Sequence, residues 1–190
     1  NLKFSFIRSS LTIYMVILFV LVGFGYKISM VPFHYWTPDV YQGAPITVTA
    51  FLSAAPKAAG FAILIRFFYT LFIDSVEVLQ WPQLIAVLSA LTMTVGNVLA
   101  LNQSNVKRLL AYSSISHVGY MLVAFSVIST DSIVSILFYM FFYLFMNLSA
   151  FYMAIYMSNK YNANNIDEWN GIGIKVPILS FFMVLSLASL

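Results

Sequence analysis

The chain has 190 residues, of which 62% are hydrophobic and 8% charged, whereas soluble domains run at roughly 45 to 50% apolar and 25% charged, so a water-soluble globule is excluded. Nine basic and six acidic residues leave a formal charge of +3, scattered without any like-charge run that could grip nucleic acid. With no cysteine, disulfides, thiolate zinc sites and cysteine-held iron-sulfur clusters are excluded from this stretch.

Apolar runs read against a span of about 20 residues predict six membrane segments, at residues 10–40, 46–72, 81–102, 109–128, 132–158 and 176–190. The expectation is an all-α polytopic bundle forming a single membrane domain over 1–190. In the first segment Pro32, the aromatics Phe33 and Tyr35, and Pro38 interrupt a run that is otherwise apolar. Proline removes a backbone donor and clashes with the preceding turn, so this helix is expected to be discontinuous, breaking at residues 29–33. Broken helices at membrane depth persist only where protein or water satisfies the freed backbone, and in transporters such a break marks an ion or substrate path. Turn and interface chemistry separates the later segments: Gln42-Gly43-Ala44-Pro45, residues 74–82, 102–107, Thr130-Asp131, and the long polar stretch 159–175. Trp36, Trp81 and Trp169 fall in or beside these connections, where interface anchors belong. Alternating sides puts Lys3, Arg8 and Arg66 on one face and Lys107, Arg108, Lys160 and Lys175 on the other, and that small excess makes the Lys107 face cytoplasmic. No signal-peptide pattern opens the chain, and its last apolar run would rise only about 22 Å as a helix. Both ends therefore read as cut.

Lys57 stands in Ser53-Ala54-Ala55-Pro56-Lys57-Ala58-Ala59-Gly60, about 17 Å of helical rise into the second span and beyond the reach of snorkelling. A lysine at that depth costs several kcal/mol or more to insert, which makes it a functional candidate. The alternative is a structural lysine bonded to carbonyls that the Pro56 kink leaves free. Lys27 sits just before the break in the first segment, where disrupted carbonyls and water could solvate it; the alternative is an interface lysine. His34 follows seven residues later and could relay protons near neutral pH, or pack as an interface residue. The six acids, Asp39, Asp74, Glu77, Asp131, Asp167 and Glu168, all map to connections or to the break, so no carboxylate is expected beside Lys57. Burial without a counter-charge disfavours the ammonium form, which brings a lysine into range for reversible proton binding. The fourth segment carries Tyr112-Ser113-Ser114-Ile115-Ser116-His117-Val118-Gly119-Tyr120, small and polar residues of the kind that pack helix on helix in lipid. Neither Gly23-Phe24-Gly25 nor Gly171-Ile172-Gly173 has the third glycine and strand context of a dinucleotide site. No metal-ligand cluster appears, so no metal site is expected.

Two strings carry a family resemblance: Gly25-Tyr26-Lys27-Ile28-Ser29-Met30-Val31-Pro32-Phe33-His34-Tyr35-Trp36-Thr37-Pro38-Asp39-Val40-Tyr41-Gln42-Gly43-Ala44-Pro45, and the stretch from Asn105-Val106-Lys107-Arg108 through His117-Val118-Gly119-Tyr120. The first closely resembles the N-subunit family of bacterial complex I (NADH-quinone oxidoreductase), counterpart of subunit 2 of mitochondrial NADH dehydrogenase. The second is shared more broadly by antiporter-like proton-pumping subunits. The similarity implies part of an inverted-repeat antiporter-like fold, in the bacterial inner membrane or, as the alternative, the mitochondrial one. It places the family's broken-helix lysine on Lys27, its next-helix lysine on Lys57 and its bridging histidine on His34, a proton relay through internal water. The family's intramembrane glutamate and onward lysine would lie beyond the two ends. By the same resemblance the partners are other membrane-arm subunits and the bilayer, with no cofactor bound by this chain. NADH, flavin, iron-sulfur clusters and quinone would sit on other subunits. A multisubunit Na+/H+ antiporter subunit, a hydrogenase-type complex subunit and a purely structural membrane scaffold are the competing readings.

Overall fold

A computed structural model describes residues 10–72 and 80–189. Lys3, Arg8, Asp74 and Glu77 lie outside the described residues. The chain forms eight α-helices there: α1 (Ser10–Ile28), α2 (Trp36–Gly43), α3 (Ile46–Leu71), α4 (Trp81–Leu101), α5 (Val106–Ser126), α6 (Thr130–Tyr161), α7 (Ile172–Lys175) and α8 (Pro177–Ser189), with a 3-10 turn at Ile166–Trp169. Among the described residues there is no strand, only an isolated bridge between Asn105 and Asn165. Helices α3, α4, α5 and α6 are long and apolar enough to cross a membrane. Phe19, Phe51, Ile63, Val87, Phe138, Phe141 and Phe181 point outward, a surface that suits lipid. The chain is an integral membrane protein.

Local chemistry sets the helix ends. The Asn105 side chain accepts from the Lys107 and Arg108 amides and starts α5, three residues earlier than hydropathy expects because two cations open the helix. Ser129 and Ser132 form a capping box at the start of α6, and Asn162, at φ 53°, closes its far end. At Asn164 and Asn165 both backbone amides donate to Glu168 Oε2, at 2.6 and 2.9 Å. That holds the segment whose Asn164 carbonyl accepts from Val106 N, at 3.0 Å.

α5 runs through the middle of the bundle, touching α2, α3, α4 and α6. Its approach to α4 is close enough to require glycine. A Cβ on Gly96 would lie 2.5 Å from Ser116 Oγ and 2.8 Å from the Ser116 amide nitrogen, and one on Gly119 would lie 2.8 Å from the Met93 nitrogen. Ser89 Oγ donates to the Gly119 carbonyl at 3.0 Å across the same seam. Small residues let backbones meet where no hydrophobic force draws helices together.

Two apolar clusters lie toward opposite ends of the bundle. One joins Ile17, Leu21, Phe61, Phe68, Trp81, Ile85, Phe125 and Ile136. The other joins Tyr41, Ala50, Leu110, Phe151, Met157 and Met183. Trp81 therefore does not serve as a lipid-facing anchor: it is 1% exposed, ringed by Phe68 and Phe125, because the rotation of α4 turns it inward at the right depth. Lys107, Arg108, Lys160 and Lys175 fall at one end of the bundle. Lys107 Nζ bonds the Gln42 and Ala44 carbonyls, while Lys160 and Lys175 both lie over the Tyr161 ring.

Replacing Gly96 by Val should cost about 1–3 kcal/mol by overpacking, read as a lower melting temperature of the full-length subunit in detergent and less of it in the membrane. Glu168 offers a pH-dependent test. Hydrogen bonds from the Asn165 and Asn164 amides hold its carboxyl below its ordinary value of 4.5. A depressed folded value means the stabilisation is present above 4.5 and is lost as pH falls through the folded value. The stability difference between the native chain and Glu168→Gln should therefore shrink on acidification from pH 7.

Candidate functional site

Between the two apolar clusters lies a layer of buried polar side chains: Ser53 and Lys57 from α3, Ser114 and His117 from α5, and Tyr143 and Asn147 from α6. Lys57 is 2% exposed. Its ammonium donates to Ser114 Oγ at 2.7 Å and to the Ser114 carbonyl at 3.1 Å. Ser114 Oγ in turn donates to the Ala111 carbonyl at 2.6 Å, which fixes its lone pairs on the lysine. The acceptors thus come from α5 and not from the turn that Pro56 disturbs. Among the described residues no carboxylate reaches Lys57. Asp39 is 74% exposed at the end of the bundle, where it pairs with Arg108 at 2.7 Å.

The sequence did not single out the groups around this pair. Tyr41 and Tyr143 both lie beside the Ser114 side chain. Tyr143 Oη donates to the Ser53 carbonyl at 3.2 Å, and Asn147 Nδ2 donates to Ser53 Oγ. His117 Nδ1 meets Tyr139 Oη at 2.6 Å, and its ring packs against that of Tyr143 with centroids 5.1 Å apart. The serine-histidine stretch of α5 is therefore both packing seam and polar layer. A phenol and an amide one turn apart in the Phe-rich α6 were the signal available for Tyr143 and Asn147.

α1 ends at Ile28 and α2 begins at Trp36. Ser29 takes a left-handed conformation at φ 67°, and the Val31–Pro32 peptide is cis. Protein groups satisfy the interrupted backbone: Met30 N donates to the Gly25 carbonyl at 2.8 Å, Phe33 N to the Met30 carbonyl at 2.7 Å, and Val31 N to Thr92 Oγ1 at 3.1 Å. Thr37 Oγ1 donates to Ser29 Oγ at 2.7 Å, and Trp36 Nε1 to the Tyr26 carbonyl at 2.9 Å. His34 is buried in this turn, stacked on Tyr35 with ring centroids 4.4 Å apart.

Lys27 differs from the expectation of a lysine inside the bundle. Among the described residues it is exposed, in the last turn of α1, since depth along a helix says nothing about rotation around it. Its stem still borders α3: a Cβ on Gly60 would lie 3.6 Å from Lys27 Cγ and 2.6 Å from Ile28 Cγ2. Gly60 follows Lys57 by about one turn, so the stem of Lys27 meets α3 one turn from Lys57.

The two recognisable strings meet at the end of the layer. Arg108 bonds Asp39 Oδ1 at 2.7 Å, Gln42 Oε1 at 2.9 Å and Gln103 Oε1 at 3.0 Å, while Lys107 Nζ takes the Gln42 carbonyl at 2.6 Å. Cations of α5 thus hold the carbonyl end of α2, where the helix dipole favours positive charge.

A family model described as NADH:quinone oxidoreductase/Mrp antiporter, TM matches residues 1–190. The chain belongs to this family. NADH-quinone oxidoreductase subunit N 2 of Sorangium cellulosum is 51% identical over 177 residues, covering 90% of this chain and 35% of that protein. NAD(P)H-quinone oxidoreductase subunit 2 of Thermosynechococcus vestitus is 48% identical over 181 residues, covering 95% of this chain and 35% of that one. The chain thus spans about a third of the length of these relatives. In a structure of respiratory complex I from Thermus thermophilus with bound aureothin, one chain superposes with a TM-score of 0.67 at 33% identity, covering 93% of this chain and 38% of its own length. A chain of an archaeal membrane-bound sulfane sulfur reductase superposes at 0.80 and 29% identity, covering 86% of this chain and 34% of its own. A chain of the Mrp complex from Dietzia sp. shares the fold at 0.80 and 20% identity, with 89% and 31% covered. The family's description spans NADH:quinone oxidoreductases and Mrp antiporters.

Proposed function

We propose that this chain is part of the proton-translocating membrane-arm subunit of a bacterial NADH-quinone oxidoreductase. In this reading it moves protons through Lys57 while quinone is reduced elsewhere in the complex. The observation that carries the reading is the Lys57 ammonium, buried in mid-span and held, among the described residues, by the hydroxyl and carbonyl of Ser114. An ammonium held by neutral dipoles, without a fixed counter-charge, can release and regain a proton as its surroundings change. Relatives named as subunit N at 43 to 51% identity support this complex over the antiporter.

In the same reading α1 and α2 are the two halves of one discontinuous span around Pro32. Lys27 and His34 supply the relay on the α1 side, Lys57 receives the proton, and water completes the links. Other membrane-arm subunits are the partners, and NADH, flavin, iron-sulfur clusters and quinone reside on those and further subunits. The subunit takes part in an enzyme whose redox centre lies outside it.

Lys57→Met in the full-length subunit should assemble into the complex yet transfer far fewer protons per NADH oxidised, measured as acidification in closed membrane vesicles. Normal proton transfer by an assembled variant would sink the relay reading. Lys27→Ala should likewise lower transfer, and Lys27→Arg should fail to restore it, because a guanidinium does not give up its proton at accessible pH. Full transfer with arginine would make Lys27 a static counter-charge.

A further inference from the structure

Pro56, immediately before Lys57, has no amide hydrogen, so the carbonyl one turn back at Leu52 loses its helical donor and the ring presses on that turn. The turn of α3 that aims Lys57 is therefore weakly fixed by α3 itself. Two side chains of α6 hold it from outside. Tyr143 Oη donates to the Ser53 carbonyl at 3.2 Å, which is the acceptor that a regular helix offers to the Lys57 amide. Asn147 Nδ2 donates to Ser53 Oγ, and that hydroxyl donates onward to the Ala50 carbonyl at 2.7 Å. The two α6 residues are one turn apart and share a face, and both are buried at 2% exposure. A buried amide is costly unless its bonds matter, and a leucine would fill the same space on a helix that is otherwise Phe- and Leu-rich. On the far side of Lys57 the receiving group, Ser114, is fixed in α5 by its own bond to the Ala111 carbonyl.

We infer that Tyr143 and Asn147 are positioning residues for Lys57. They act through Ser53 to clamp the turn before Pro56, so that the ammonium is delivered to Ser114. This rests on the reading of Lys57 as a proton carrier. α6 then does more than pack against α3: a shift of α6 by a fraction of a turn withdraws the clamp and changes the direction of the lysine.

The test uses the full-length subunit in its assembled complex, measuring protons transferred per NADH oxidised in closed vesicles. Asn147→Leu, Tyr143→Phe and Ser53→Ala should each lower transfer by roughly three- to ten-fold, the effect of losing one or two buried hydrogen bonds at a working group. Asn147→Gln, which keeps the amide donor, should recover part of the loss. The Ser53→Ala, Asn147→Leu double variant should be no worse than either single change, because both break one contact. In a Lys57→Met background Asn147→Leu should cause no additional loss. An additive loss there, or no recovery with glutamine, would show that α6 merely holds helices together. The phenylalanine and alanine variants remove a single oxygen each, so they decide the matter even where the leucine variant does not assemble. If Lys57→Met itself transfers protons normally, the carrier reading fails. If it does not, but the clamp variants transfer normally, only the positioning role falls.

Discussion

An ammonium placed in the middle of a bilayer must be met by dipoles that cannot move away, and the contact between Lys57 and Ser114 is how this bundle meets one. Much of the architecture follows from holding that contact. Ser114 belongs to α5, so α5 has to be the central helix, and its place is secured by glycine and serine seams against α4. Cations at the start of α5 tie it to the end of α2. The lysine comes from α3 at a turn weakened by proline, and α6 supplies the missing constraint through Ser53.

The features legible in the sequence were those set by depth and by backbone chemistry. A lysine far from either end of an apolar run marks itself, and Pro32 foretells the end of α1 because a missing amide is a local fact. The acids were expected in connections or at the break, and among the described residues Asp39 lies at the end of the bundle, paired with Arg108. What hydropathy does not carry is rotation around a helix axis. For that reason Lys27 was expected inside and is exposed among the described residues, and Trp81 was expected at the lipid interface and lies in the core. Partners far apart in the chain were invisible for another reason. Asn147 and Ser53 are separated by 94 residues, and neither is unusual within its own helix. The helix start at Val106 was missed because Lys107 and Arg108 lower the local hydropathy, although the Asn105 cap that begins the helix is itself a readable signal.

Membership in a family that covers both quinone oxidoreductases and Mrp antiporters fits this division of labour. In this chain the lysine is settled between helices by a buried serine acceptor and by close α4–α5 packing.

The two apolar clusters that flank the polar layer act as insulation. One of them fills the bundle with Phe61, Phe68, Trp81 and Phe125, the other with Tyr41, Leu110, Phe151 and Met157. A charge at Lys57 is walled off along the axis of α3 in both directions by hydrocarbon and aromatic rings, which conduct no protons. Polar contacts of α3 in this layer run sideways instead, to Ser114 on α5 and to Tyr143 and Asn147 on α6.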